Sequence, residues 1–169
     1  MKTYICRVDE LRKLSLPKNI MDNLGIKVLD NVEIIEKNNF VILRSYSPLL
    51  KIRSLINEIC NNLCYALNHN VIVTDLNSII SSNVKGLFNK KISDNLKFSI
   101  LRRENILEVH DKELILTNRF ILNTPYIINS IVSKGNVIGL IIIYDVNGVD
   151  EVDYKISSCV SNFIGKYVE

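Results

Sequence analysis

Along the first 47 residues, apolar side chains recur at every second position. Tyr4, Cys6 and Val8 alternate with Ile5, Arg7 and Asp9, and Val32 and Ile34, then Phe40 and Ile42, alternate across Lys37-Asn38-Asn39. Such period-two patterning predicts short strands joined as hairpins. Between the strand pairs, Pro17 suits a first helical residue, whose N–H needs no partner, and Gly25 suits a left-handed C-terminal cap. One short helix over residues 18–24 is expected. A unit of about 50 residues with four short strands and one small helix buries too little surface to stand alone, and its strand edges are open. Two copies that interleave hairpins would complete one core, so obligate dimerisation is predicted.

At Pro48 the period changes. Ile52, Leu55, Ile56, Ile59, Leu63, Ala66 and Leu67 recur at three- and four-residue intervals, which predicts an amphipathic helix over 49–67. The residue before a proline avoids α geometry, so the border falls there: a domain over 1–47, a linker helix over 48–68 and a second domain over 69–169. In that second domain the pattern predicts strands over 71–74 and 79–82 around a turn, a helix over 92–103 and a strand near 114–116. Strands over 127–132 and 137–144 then flank Ser133-Lys134-Gly135-Asn136, a hairpin turn because Gly and Asn accept positive φ. A last helix over 150–167 puts Ile156, Cys159, Val160, Phe163 and Tyr167 on one face. This order predicts an α+β fold around an antiparallel sheet. The two amphipathic helices are expected to pack together and onto a second protomer.

At 169 residues and 47% hydrophobic, the chain is apolar enough for a packed core, and a formal net charge of +3 carries no large basic tail. Any DNA contact must therefore come from a local arrangement. The charged residues among the first 16 positions interrupt any signal-peptide core, and the longest apolar run, Val137 to Tyr144, falls well short of the roughly 20 residues of a membrane helix. A cytoplasmic protein without a membrane partner is expected, in which Cys6, Cys60, Cys64 and Cys159 stay reduced.

The segments Val8-Asp9-Glu10-Leu11, Leu16-Pro17-Lys18, Leu24-Gly25-Ile26, Asp30, Glu33-Ile34 and Ile42-Leu43-Arg44-Ser45-Tyr46-Ser47-Pro48 together resemble the N-terminal domain of AbrB-type transition-state regulators. The continuation into a helix and an α/β domain resembles the stage V sporulation protein T branch of that family, in which the C-terminal half is a GAF domain. The resemblance implies an intertwined swapped-hairpin homodimer that binds double-stranded DNA through basic residues on one face. It also implies a GAF-like domain that senses a small ligand or assembles the protein further, to a tetramer, and a role in late developmental genes of spore-formers.

This chain departs from the family pattern. Cys6 stands where members usually carry arginine, Arg12-Lys13 where they carry a Gly-Arg turn, and Met21-Asp22 where they carry an Arg-Arg pair; only Lys13 keeps the charge. Phosphate neutralisation supplies much of the affinity for DNA, so Asp22 places repulsion where attraction is expected. Residues 1–50 still hold eight basic and six acidic side chains, a net +2 that a dimer doubles. Arg7, Arg12, Lys13 and Lys18 flank the first hairpin loop and the helix start, and are the expected DNA contacts. The rival reading is a non-DNA-binding interaction or ligand-sensing protein that kept the fold and lost those contacts. Arg12 also replaces a turn glycine, and a non-glycine residue at positive φ costs about 1 kcal/mol.

Other constellations are weaker. Cys60, Cys64 and His69 are thin for zinc, which usually takes four ligands at shorter cysteine spacing, and nothing basic nearby marks a reactive thiol, so a core role is expected. His69 and His110 lack a nucleophile elbow, a glycine-rich phosphate loop or a paired-carboxylate motif, so no catalytic residue, metal or cofactor is expected. A sensor pocket would lie between the sheet and the 92–103 helix, where Lys97, Arg102, Arg103 and His110 could hold an anion; a solvated face is the preferred reading of those four.

Overall fold

The computed structural model describes residues 4–26 and 32–168, which divide into two units between Tyr46 and Ser47. Lys2, Lys27 and Asp30 lie outside the described residues.

In the first unit, helix α1 spans Lys18–Leu24. Pro17 is its N-cap, one position before the helix, and Gly25 closes it at φ 67° with its N–H donating to the Asp22 and Met21 carbonyls. Strands β1 (Val32–Lys37) and β2 (Phe40–Ser45) form an antiparallel hairpin from Val32↔Ser45 to Lys37↔Phe40, turned by Asn38 at φ 51°. The expected first hairpin is reduced to one antiparallel bridge, Val8↔Leu14, with no regular strand over 4–8. The alternation at Tyr4, Cys6 and Val8 is present, but an extended segment becomes a ladder only beside a second strand, and among the described residues its one pairing is the Val8↔Leu14 bridge.

The second unit opens with α2 (Pro48–Lys51) and α3 (Arg53–Leu67), separated at Ile52, so the expected continuous helix is interrupted there. Five antiparallel strands follow in the order β4-β3-β7-β6-β5: β3 (Asn70–Thr74), β4 (Ile79–Ser82), β5 (Ile106–Thr117), β6 (Phe120–Ser133) and β7 (Asn136–Tyr144). Strand β5 runs far longer than the expected 114–116. Its added residues include the exposed stretch Val109 to Glu113, where Asp111, Lys112 and Glu113 are charged, as suits a sheet edge that must not pair further.

The eight-residue apolar run is β7, buried on both faces. Leu140, Ile142 and Tyr144 enter one core with Leu96, Ile100 and Leu116; Ile141 and Ile143 enter the other with Ile56, Cys60, Leu63 and Ile164. Helix α4 (Asp94–Arg102) covers the first face. Helices α3 and α5 (Glu151–Tyr167) cover the second, α3 over β3 and β4 and α5 over β6 and β7. The β6–β7 turn has Lys134 and Gly135 at φ 47° and 76°, the doubly left-handed geometry that matches strand twist. Helix α5 begins in a capping box: Asp150 accepts the Val152 and Asp153 N–H groups, and Asp153 accepts that of Asp150. Its sheet-facing row of Ser157, Ser161 and Gly165 lets it approach closely, since a Cβ on Gly165 would run into the Val132 carbonyl. No helix among the described residues is long and apolar enough to cross a membrane.

Candidate nucleic-acid interface

The loop from Val8 to Leu14 is organised by Asp9. Its N–H donates to the Lys13 carbonyl and its carbonyl accepts the Arg12 N–H, both at 3.0 Å, while its carboxylate accepts the Lys13 N–H at 2.7 Å. This closed turn requires a left-handed residue, and Arg12 supplies it at φ 60° without being glycine. The side chains of Arg12 and Lys13 are thereby presented at the tip, and Arg7 immediately precedes the bridge. Lys18 is the first residue of α1, and no hydrogen bond ties it to the loop.

All four cations are exposed and none forms an ion pair among the described residues. Arg44 differs, since its guanidinium donates to Glu33 at 2.6 Å across the β1–β2 hairpin. Asp22 is exposed on α1, its carbonyl used in the helix cap. Cys6 is half-buried.

The unit has little interior. Ile26 is its one buried residue among those described, while Ile5 is 98% exposed, Phe40 73% and Ile34 66%. The hairpin is apolar on both faces: Ile34, Val41 and Leu43 lie on one and Ile35, Phe40 and Ile42 on the other. A lone two-stranded hairpin is marginal in water, and uncovered apolar faces of this kind call for a partner.

In the second unit the four residues weighed between an anion site and a solvated face are engaged separately. Lys97 pairs with Asp94 at 2.9 Å, Arg102 with Glu104 at 3.6 Å, and Arg103 donates to the Gly135 carbonyl at 2.7 Å. His110 lies on the exposed stretch of β5, its N–H donating to Glu108 at 3.4 Å. The space between α4 and the sheet is occupied by Leu96, Ile100, Leu114, Leu116 and Leu122. The anion pocket sketched there from the sequence is thus replaced by hydrophobic core.

The thiol of Cys60 is buried and donates to the Val71 carbonyl at 3.4 Å; burial pushes it above its ordinary value, against smaller pulls from Ser81 and Asn83. Among the described residues no group of three or more His, Cys, Asp or Glu side chains is placed to hold a metal ion. Instead His69 meets two aspartates: its Nε2 lies 3.1 Å from Asp153 and its Nδ1 3.8 Å from Asp145. That cluster joins the start of β3 to the head of α5, across 84 positions of chain, a distance at which no local spacing signals it. A second feature absent from the sequence pattern is a cleft of about 260 Å³ between α3 and β4.

The layered arrangement of the second unit is that of a GAF domain. It superposes on the cofactor-binding GAF domain of the nutrient sensor CodY from Clostridium difficile, with TM-score 0.52 and 14% identity, over 72% of this chain and 97% of that one. The cyanobacteriochrome receptor PixJ gives 0.55 and 14%, over 73% and 98%, and a type II free methionine-R-sulfoxide reductase from Thermoplasma acidophilum gives 0.56 and 15%, over 71% and 94%. At such identities these likenesses concern the fold alone. Residues 51–169 match the family described as stage V sporulation protein T C-terminal, transcription factor, and the chain belongs to that family. Stage V sporulation protein T of Bacillus subtilis (strain 168) is 29% identical over 169 residues, spanning 96% of this chain and 95% of that protein.

Proposed function

We propose that this chain is a cytoplasmic, DNA-binding transcription regulator of sporulation or stationary-phase genes that works as an intertwined, AbrB-like swapped-hairpin dimer. The observation that supports this most is the near absence of an interior among the described residues of the first unit, beside exposed Ile5, Ile34 and Phe40. A second copy supplies the missing core, and its symmetry doubles the loop carrying Arg7, Arg12 and Lys13 together with Lys18 at the head of α1. Those four unpaired cations neutralise phosphates on both sides of the two-fold axis. The GAF-like domain adds the second assembly contact, dimer to tetramer, through the outer face of α5. Val152, Ile156, Cys159, Phe163 and Tyr167 lie exposed there along the whole helix. The same domain is the seat of small-ligand sensing.

Asp22 favours a second reading, in which the protein keeps the fold and mixes with DNA-competent relatives without binding DNA itself. A salt-titrated binding assay on a mixed-sequence duplex separates the two. Affinity of the regulator falls linearly with the logarithm of salt concentration, and Lys13→Ala lowers that slope by about one unit. Absence of binding at low salt contradicts the first reading and supports the second.

A further inference from the structure

We propose that the cleft between α3 and β4 is a binding site for a small organic carboxylate. The inference deepens the sensing half of the proposed function and rests on it only there. Three side chains of α3, spaced four residues apart, face the cleft along one line of the helix: Arg53, Asn57 and Asn61. Their polar heads make no hydrogen bond or ion pair among the described residues. The opposite wall comes from an irregularity in the sheet. Val73 pairs with Ser81 and Thr74 with Ile79, so Ile80 is an inserted residue. The bulge turns both Ile80 and Ser81 toward α3, where Ile80 joins the core and Ser81 bonds the Cys60 thiol. Ser82 completes this wall, its oxygen accepting the Val84 N–H and its own O–H left to donate.

The guanidinium is what selects the ligand. The guanidinium carbon of Arg53 lies over the Phe88 ring, 3.8 Å from its centroid. The cation–π contact holds the guanidinium over the ring, and its N–H groups, which have no partner among the described residues, remain for an acceptor. A planar fork held in this way matches a carboxylate in two parallel hydrogen bonds. The amides of Asn57 and Asn61 and the Ser82 hydroxyl add donors and acceptors that suit a neighbouring hydroxyl or amino group. A volume of about 260 Å³ holds roughly nine water-sized groups, which limits the ligand to a metabolite of a few carbons. The site lies on the α3 face of the sheet, across from α4. A ligand there contacts the helix that begins six residues after the boundary with the first unit.

The test is a nitrogen-15 NMR titration of the full chain with L-lactate, L-serine and L-malate, with lactamide as the uncharged control and inorganic phosphate as the other anion. At least one carboxylate is expected to shift the Arg53 Nε–Hε and the Asn57 and Asn61 side-chain amide signals saturably, at millimolar concentration. Arg53→Lys, which keeps the charge and loses the fork, weakens that binding about tenfold, the equivalent of one lost charge-assisted hydrogen bond. Asn57→Ala, at a half-buried position of α3, serves as the second variant and weakens it in the same direction. The proposal is overturned if no carboxylate moves those signals, if lactamide moves them equally, if phosphate alone does, or if both variants titrate like the parent. Because the readout is ligand binding, such a failure beside intact DNA binding removes the cleft and leaves the regulator standing.

Discussion

Arg12 carries opposing demands in one residue. Its backbone sits at φ 60° in a turn closed by Asp9, a conformation that costs about 1 kcal/mol for a side chain with a Cβ, while its guanidinium is presented at the loop tip. Arg12→Gly removes that strain but enlarges the freedom of the unfolded chain, so stability should change by less than about 1 kcal/mol. DNA affinity should fall, with a salt slope lower by about one unit. Thermal unfolding and a salt titration on the same variant check both halves, and a variant that binds as tightly as the parent removes Arg12 from the interface. The sequence made the loop's chemistry legible, because Asp9, Arg12 and Lys13 stand together in it. It could not reveal that Arg44 is neutralised by Glu33, since that pairing depends on hairpin register. The cluster of His69 with Asp145 and Asp153 was hidden for the same reason, being made by tertiary approach alone.

Among elements, those with a one-sided period and local stop signals were read closely. Helix α1 matches residue for residue, β4 likewise, and α5 begins one residue from its expected start. The pattern shows only the end of β5 because residues 108–113 carry no apolar alternation, and it merges α2 with α3 because the break at Ile52 lies within an unbroken apolar period. Helix α5 supports two predictions. Glycine in a helix is ordinarily improved by alanine, by roughly 1 kcal/mol. At Gly165 the sign reverses, because the new methyl meets the Val132 carbonyl; Gly165→Ala should destabilise by about 1–3 kcal/mol in denaturant unfolding. The second concerns Asp150, whose carboxyl is held below its usual value of 3.8 chiefly by the N–H groups of Asp153 and Val152 that it accepts. A depressed folded-state value means this capping contribution is present above pH 4 or so, and is lost as pH falls through the folded value. Asp150→Asn caps without charge, so its melting temperature should fall less between neutral and acidic pH than that of the parent. An equal fall in both proteins contradicts the assignment.

At the scale of the molecule, the two units obey different physics. The second has a core on each face of a five-stranded sheet, whereas the first buries only Ile26 among its described residues. The contrast follows from size, since about 50 residues with short strands bury little surface. If the exposed α5 stripe is the second contact of the proposed tetramer, Phe163→Asp should lower the assembly from tetramer to dimer in light scattering while leaving the fold of the GAF-like domain intact; a tetramer that survives assigns the contact elsewhere. The account depends most on interlacing of the N-terminal units. Its direct test is an isotope-filtered NOE experiment on a mixture of labelled and unlabelled full-length chains. Contacts between different protomers at Ile34, Phe40 and Ile42 are the predicted result; contacts confined to a single chain at all three would contradict it.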